Sequence, residues 1–249
     1  MNGDTFRKRC EAALTHAEVS EVELRRYQSA IELLRPLRSV LSEPILDFGA
    51  SYGLSMLALA TVGVRDSWGV EPDGERVSKG VEILSEVGLA PERLQRVPDT
   101  RTIPFSDSTF ESVLALAVFE HIPQPRSEYI AEIWRLLKPG GHCVIAETPN
   151  KYFPVDLHTT GLPLIPWLPS RMAHALGKRF GKAPHRYDTK EQWASSGWRG
   201  MGYHELISAI PGEFSILHTD VKRRHHILRR MRLFPGLIDP YPVYILRKE

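Results

Sequence analysis

Between residues 44 and 147, short apolar runs alternate with helix-like stretches, and this alternation limits the fold more than any other feature of the sequence. Pro44-Ile45-Leu46-Asp47-Phe48-Gly49 is a buried-strand pattern ending in glycine, and residues 54–62 continue as a small-residue apolar helix. Residues 66–71 read as a second strand, 75–87 as a helix with Val77, Val81 and Leu84 on one face, and 94–97 as a brief third strand. Residues 112–119 are almost unbroken in their apolar character, the pattern of a strand covered on both faces. Ile130, Ile133, Trp134 and Leu137 recur at helical spacing, Lys138-Pro139-Gly140-Gly141 stops that helix, and 142–147 give a fifth strand. Strands that alternate with amphipathic helices form right-handed βαβ units, so the expected architecture is a doubly wound, mostly parallel sheet between two helical layers.

The flanks are read with less regular patterns. Residues 4–40 carry Leu24, Tyr27, Ile31 and Leu34 at intervals of three or four, which predicts a helix that Pro36 breaks or kinks. This gives a helical extension over 1–41 ahead of a domain over 42–249. Regularity fails after Asn150. Pro154, Pro163, Pro166, Pro169 and Pro184 make 151–190 a poor helix and a poor central strand, so the segment reads as an insertion of the lid or binding-loop kind. A short helix over 202–210 and strands over 213–220 and 241–247 close the chain and bring the sheet to seven strands.

Composition narrows the function. The content of 42% hydrophobic and 25% charged residues suits a soluble globular chain, and a formal charge of +2 supplies no global field toward nucleic acid. Cys10 and Cys143 offer neither a disulfide framework nor a zinc pattern, and no metal ligand set is expected. The polar N-terminus has no apolar signal-peptide core, and no apolar run approaches a spanning length, so a cytoplasmic location is expected.

The informative stretch is Ile45 to Gly53. Ligands of open α/β sheets sit beyond the carboxyl ends of the strands, and small residues at Gly49, Ala50, Ser51 and Gly53 let the backbone approach one closely. Glu71, before Pro72 at the end of the second strand, is placed to accept hydrogen bonds from both hydroxyls of a ribose. A dinucleotide fingerprint would need glycine at the positions of Gly49, Ser51 and Leu54, and two of these fail. No phosphate-binding Lys-Ser or Lys-Thr follows the loop, so a nucleoside triphosphate is not expected either.

Over about residues 44–150 the sequence resembles the class I S-adenosylmethionine-dependent methyltransferases, in the large group related to the ubiquinone and menaquinone methyltransferases. Ile45 to Gly53 is similar to the first motif, Asp-x-Gly-x-Gly-x-Gly, with Ser51 in place of the middle glycine. Glu71 matches the ribose-binding acid. Asp99-Thr100, followed by Ile103-Pro104-Phe105 and Thr109-Phe110-Glu111, resembles the adenine-contacting Asp and the strand entry after it. Ala115 to His121 resembles the fourth strand with its Glu-His pair, and Leu136 to Gly141 the turn into the fifth. The resemblance implies a Rossmann-like three-layer sheet whose last strand is antiparallel, with S-adenosyl-L-methionine as cofactor.

It also implies the site. Asp47 would sit near the amino-acid end of the cofactor, with Gly49, Ala50, Ser51 and Gly53 offering backbone contacts to the same region. Glu71 and Pro72 would flank the ribose, Asp99 and Thr100 the adenine, and Leu116 and Ala117 would offer carbonyls near the methionine amine. Plainer readings make Asp47 and Asp99 turn caps. His121, after the fourth strand, is expected to face the transferred methyl group as general base, since an imidazole can take a proton at neutral pH. The alternative is that it only orders the loop before Pro123. Glu120 reads as structural, and His158 as a candidate acceptor-pocket residue.

The insertion is expected to set what is methylated. Leu162, Leu164, Ile165, Trp167 and Leu168 form an apolar patch followed by Arg171, His174, Lys178, Arg179 and Lys182. The patch either packs as core or forms a greasy lid with a basic rim, suited to a small-molecule, glycan or lipid-linked acceptor and to peripheral membrane contact. A second basic run spans 222–232. Nucleic acid is not an expected partner, since no nucleic-acid module accompanies these runs. The expected activity is methyl transfer to oxygen or nitrogen; a cofactor-binding scaffold that has lost catalysis is the alternative.

Overall fold

The structure, a computed structural model, describes residues 3–183, 187–217, 227, 230, 231 and 235–249. The basic run over 222–232 lies outside the described residues except for Ile227, Arg230 and Met231, and so does Pro184. Seven strands form one mostly parallel sheet flanked by helices, in the order β3-β2-β1-β4-β5-β7-β6. They are β1 (Ile45–Phe48), β2 (Ser67–Glu71), β3 (Leu94–Arg96), β4 (Phe110–Leu116), β5 (Leu137–Ala146), β6 (Phe214–Ile216) and β7 (Tyr244–Lys248). The chain divides into two compact units, Met1–Leu114 with Glu132–Cys143 and Leu246–Glu249, and Ala115–Ala131 with Val144–Ile245.

In the first unit, β1 pairs in parallel with β2 on one side and β4 on the other, with Asp47 opposite Gly69 and Leu114. All four β1 residues are buried, which is why this strand reads as an unbroken apolar run interrupted only by Asp47. Helices α1 (Gly3–His16) and α2 (Glu21–Leu37) replace the single helix expected over 4–40. The break falls earlier than Pro36, because Glu18 turns left-handed (φ 52°) and Ser20 caps α2 by accepting from the Glu23 amide at 3.3 Å. Pro36 is accommodated inside the last turn of α2. Tyr27 of α2 is fully buried, and its hydroxyl lies 3.0 Å from Thr61 Oγ1 at the end of α3 (Leu54–Thr61). Helix α4 (Gly74–Glu86) is capped by Asp73, which accepts from the amides of Glu75 and Arg76. It approaches the β1–α3 turn so closely that a Cβ at Gly80 would lie 2.9 Å from the Tyr52 carbonyl carbon.

Strand boundaries differ from the sequence reading around the fourth and fifth strands. β4 starts two residues earlier and ends at Leu116, because Ala117 is left-handed (φ 56°) and Phe119–His121 form a 3-10 turn. β5 follows α5 (Ser127–Leu136) without a gap, so Lys138-Pro139-Gly140-Gly141 belongs to the strand. Cys10 and Cys143 are both buried and unpaired as thiols.

In the second unit the insertion folds more regularly than its prolines predict. Eleven proline-free residues follow Pro169 and form α6 (Ser170–Phe180). Ala173 and Gly177 face inward, and with Ile165, Trp193 and Trp198 they build a satellite core in which the two indoles stack 5.2 Å apart. Two short helices follow, α7 (Lys190–Ala194), started by a Thr189–Gln192 capping box, and α8 (Tyr203–Ala209). Ile165 is buried, whereas Leu164 and Trp167 are exposed, so the patch is divided between core packing and an open surface. Arg126, buried at the start of α5, donates to Glu205 at 2.9 Å and to the carbonyls of Gly200 and Ile122. Lys151 reaches the other Glu205 oxygen at 3.1 Å.

Candidate functional site

The turn from β1 to α3 alternates in hand. Gly49 (φ 79°), Ser51 (φ 51°) and Gly53 (φ 76°) are all left-handed, so the three positions where the motif wants glycine are the three whose backbone needs it. Ser51 accepts that conformation against the usual penalty for a side chain, on the order of 1–2 kcal/mol. Its amide is held by Glu71, whose Oε2 accepts from Ser51 N at 2.9 Å while Oε1 accepts from Asp73 N at 3.1 Å. Glu71 is itself buried, so one carboxylate ties the β1 turn to the β2–α4 turn at Pro72.

Asp47 is fully enclosed at the carboxyl end of β1. Burial pushes its carboxyl up to about 7, a hydrogen bond from Ser55 opposes that rise, and the Glu71 charge adds to it. Its Oδ2 has no hydrogen-bond partner among the described residues. A buried carboxylate oxygen without a donor is an acceptor waiting for a ligand donor, and a cationic ammonium group suits it. These carboxylate acceptors fit the amino-acid and ribose ends of S-adenosylmethionine.

Asp99 is placed differently. It is exposed, and the Arg101 guanidinium grips both its oxygens, at 2.9 and 2.7 Å, while the Arg101 amide donates to Oδ1 at 3.0 Å. That grip holds its carboxyl down at about 2. An adenine amine would have to share Asp99 with Arg101. Thr100 beside it is buried. The segment that follows is clamped by Glu132, which accepts from the Ile103 amide, and by Arg135, which donates to the Phe105 carbonyl at 2.9 Å.

The second unit holds the remaining candidates. Leu116 and Ala117 end β4, and the Ala117 amide donates to the Ala146 carbonyl at 3.0 Å. Four residues on, His121 meets His158 of the insertion, their rings 5.7 Å apart at 61°. His121 Nδ1 lies 2.8 Å from the Ser195 carbonyl oxygen. A carbonyl only accepts, so Nδ1 carries the proton and Nε2 is the basic nitrogen, which lies 3.9 Å from Glu120 Oε1. The Glu120 carboxylate is buried, and its Oε2 accepts from Thr148 Oγ1 at 2.9 Å.

Three builders of this cluster escaped the sequence reading. Asp156 accepts from the amides of His158, Thr159 and Thr160 and so fixes the loop that presents His158. Thr148 orients Glu120. Gly197 (φ 83°) makes room, since a Cβ there would lie 3.0 Å from both Glu120 Cγ and His158 Nε2. The Asp156-Leu157-His158-Thr159 pattern carried a legible signal, an Asx turn; Thr148 and Gly197 carried none.

Residues 46–145 match a family model described as a methyltransferase domain. The chain is 31% identical over 102 residues to a phosphatidylethanolamine N-methyltransferase from Cereibacter sphaeroides, which covers 41% of this chain and 48% of that protein. It is 27% identical over 150 residues to a ubiquinone/menaquinone biosynthesis C-methyltransferase from Geotalea daltonii, covering 57% and 63% respectively. The chain thus spans less than two thirds of the length of either relative. A solved S-adenosylmethionine-dependent methyltransferase from Mesorhizobium loti shares the fold, with a TM-score of 0.52, 16% identity, and coverage of 87% of this chain and 98% of that one. Over residues 46–145 the chain is thus similar to a methyltransferase domain, and its strand order and the glycine-like turn after β1 accord with that likeness.

Proposed function

We propose that this protein transfers a methyl group from S-adenosylmethionine to oxygen or nitrogen of a small amphipathic or lipid-linked acceptor. The observation that carries the cofactor reading is the pairing of the left-handed Gly49–Ser51–Gly53 turn with two buried carboxylates, Glu71 and Asp47, one of which has an oxygen without a donor. The cofactor supplies an electrophilic methyl on a cationic sulfur. Glu71 would hold the ribose hydroxyls, and Asp47 the ammonium end.

The surface of α6 supports this acceptor class. Ala173 and Gly177 face inward and its large apolar residues outward: Met172, Leu176 and Phe180 recur every fourth residue on the exposed side, with Trp167 just before them. Arg171 and Arg179 rim this stripe, and the Arg179 guanidinium lies 5.2 Å from the Phe180 ring centroid. An exposed apolar stripe with cationic edges is the pattern that lies on an anionic lipid surface or receives an amphipathic molecule. The likeness to a phosphatidylethanolamine methyltransferase supports the same class.

The test is transfer of labelled methyl from the cofactor to a panel of phospholipids, quinol precursors and soluble amines and alcohols, with vesicles present. Label on a lipid or amphipathic product supports the reading. Tight cofactor binding without label on any of them would leave the scaffold alternative in its place.

A further inference from the structure

We propose that Glu120, His121 and His158 form a binding site for a zinc-class divalent cation. The inference goes beyond the proposed methyl transfer and does not rest on it. One ligand atom from each residue lies within 4.8 Å of the other two. Two imidazoles and one carboxylate are the donor set of three-ligand zinc sites, which leave a further coordination position for water or an acceptor oxygen.

The surroundings match what such a site requires. Metal-bound histidines commonly donate their second ring nitrogen to a carbonyl or carboxylate, which fixes the tautomer and aims the other nitrogen at the ion. His121 does this, with Nδ1 2.8 Å from the Ser195 carbonyl oxygen. Ligating carboxylates are themselves hydrogen-bonded. Glu120 meets this too, one oxygen accepting from Thr148 at 2.9 Å and the other lying 3.9 Å from His121 Nε2. Gly197 keeps the space between Glu120 and His158 clear of a side chain. Asp156 holds the His158 amide at 3.2 Å and so sets the backbone beneath the third ligand.

The ligand atoms stand somewhat wider than a bound ion needs. Zinc bonds of about 2.0–2.2 Å in a tetrahedral arrangement place ligand atoms about 3.4 Å apart. The buried carboxylate is the fixed point, while the His121 ring is about half exposed and the His158 ring partly so. Small rotations of those two rings would close the gap. The pattern is invisible in sequence, because Glu120 and His121 are neighbours but His158 comes from the insertion.

The test uses the full chain without an affinity tag. Zinc titration calorimetry is run on the wild type, His121→Ala and His158→Ala, alongside cobalt(II) absorption and thermal melts that report folding. The expected result is one ion per chain with micromolar or tighter affinity, a cobalt visible band, and at least tenfold weaker binding in each folded variant. Since His121 is exposed, its variant is the one whose fold is least at risk. Absence of saturable binding below about millimolar zinc, or unchanged affinity in both variants, would overturn the proposal; the latter would place the ion on other histidines. Neither readout involves methyl transfer, so failure here and failure of the proposed activity are separable.

Discussion

The amide of Ser51 donates to Glu71 Oε2 at 2.9 Å, so the residue that replaces the motif's middle glycine is held in its left-handed conformation by the acid that marks the end of β2. The two features that suggested a nucleoside-bearing cofactor are therefore one mechanical unit. A carboxylate already accepting two backbone amides keeps lone pairs for ribose hydroxyls, and its geometry is set before any ligand arrives.

Replacement of Glu71 tests that unit. Glu71→Ala should weaken S-adenosylmethionine binding by at least tenfold, given roughly 1.5–3 kcal/mol for each charge-assisted hydrogen bond lost. It should also lower the melting temperature, because the Ser51 and Asp73 amides lose their acceptor. Titration calorimetry paired with a melt reads both; unchanged affinity would end the ribose assignment.

Asp47 makes cofactor affinity depend on pH. Its carboxyl titrates at about 7, raised chiefly by burial. Below that value a cationic ligand must displace a proton, so affinity should fall by about tenfold in all as pH drops from 8 to 6, and Asp47→Asn should bind weakly with no such dependence. Stability has the opposite dependence. A carboxyl raised on folding is harmless below its unfolded value near 4, increasingly unfavourable as pH rises from there to about 7, and at a constant penalty above that. Asp47→Asn should therefore equal the wild type in stability at pH 4 and exceed it at pH 8, by an amount on the order of 4 kcal/mol. Denaturant melts at the two pH values check the sign.

The satellite core separates packing from recognition. Trp167 is 56% exposed and Ile165 only 1%. Trp167→Ala should leave the melting temperature and cofactor affinity nearly unchanged while reducing transfer to an amphipathic acceptor. Ile165→Ala should cost about 2–5 kcal/mol of stability by opening a cavity beside Ala173 and Trp193. Parallel loss of stability and cofactor binding in the Trp167 variant would retire the recognition role.

Arg126 is 6% exposed on its side chain and has Glu205 as its ion-pair partner. Glu205→Gln should remove the compensating charge and destabilise the fold by about 3–5 kcal/mol, since burial disfavours the guanidinium charge. Chemical denaturation of this variant against Lys151→Met distinguishes the buried pair from the more exposed Lys151 bridge, whose loss should be much milder.

What the sequence determined by itself is the local and periodic part of this protein. The sheet, the left-handed turn at Gly49 to Gly53 and the acid at Glu71 were legible because backbone hand and apolar period are written in neighbouring residues. The elevated titration of Asp47 and the grip of Arg101 on Asp99 were not, since burial and charge contacts belong to a folded environment. The helix α6 was hidden by the prolines around it, and its outward apolar stripe could be recognised only once Ala173 and Gly177 were seen to take the inward face. The Glu120–His121–His158 cluster is the clearest case of what tertiary structure alone decided. It joins residues 37 positions apart through an Asx turn at Asp156 and a clearance at Gly197, and no local pattern reports which loop will fold back onto which strand end.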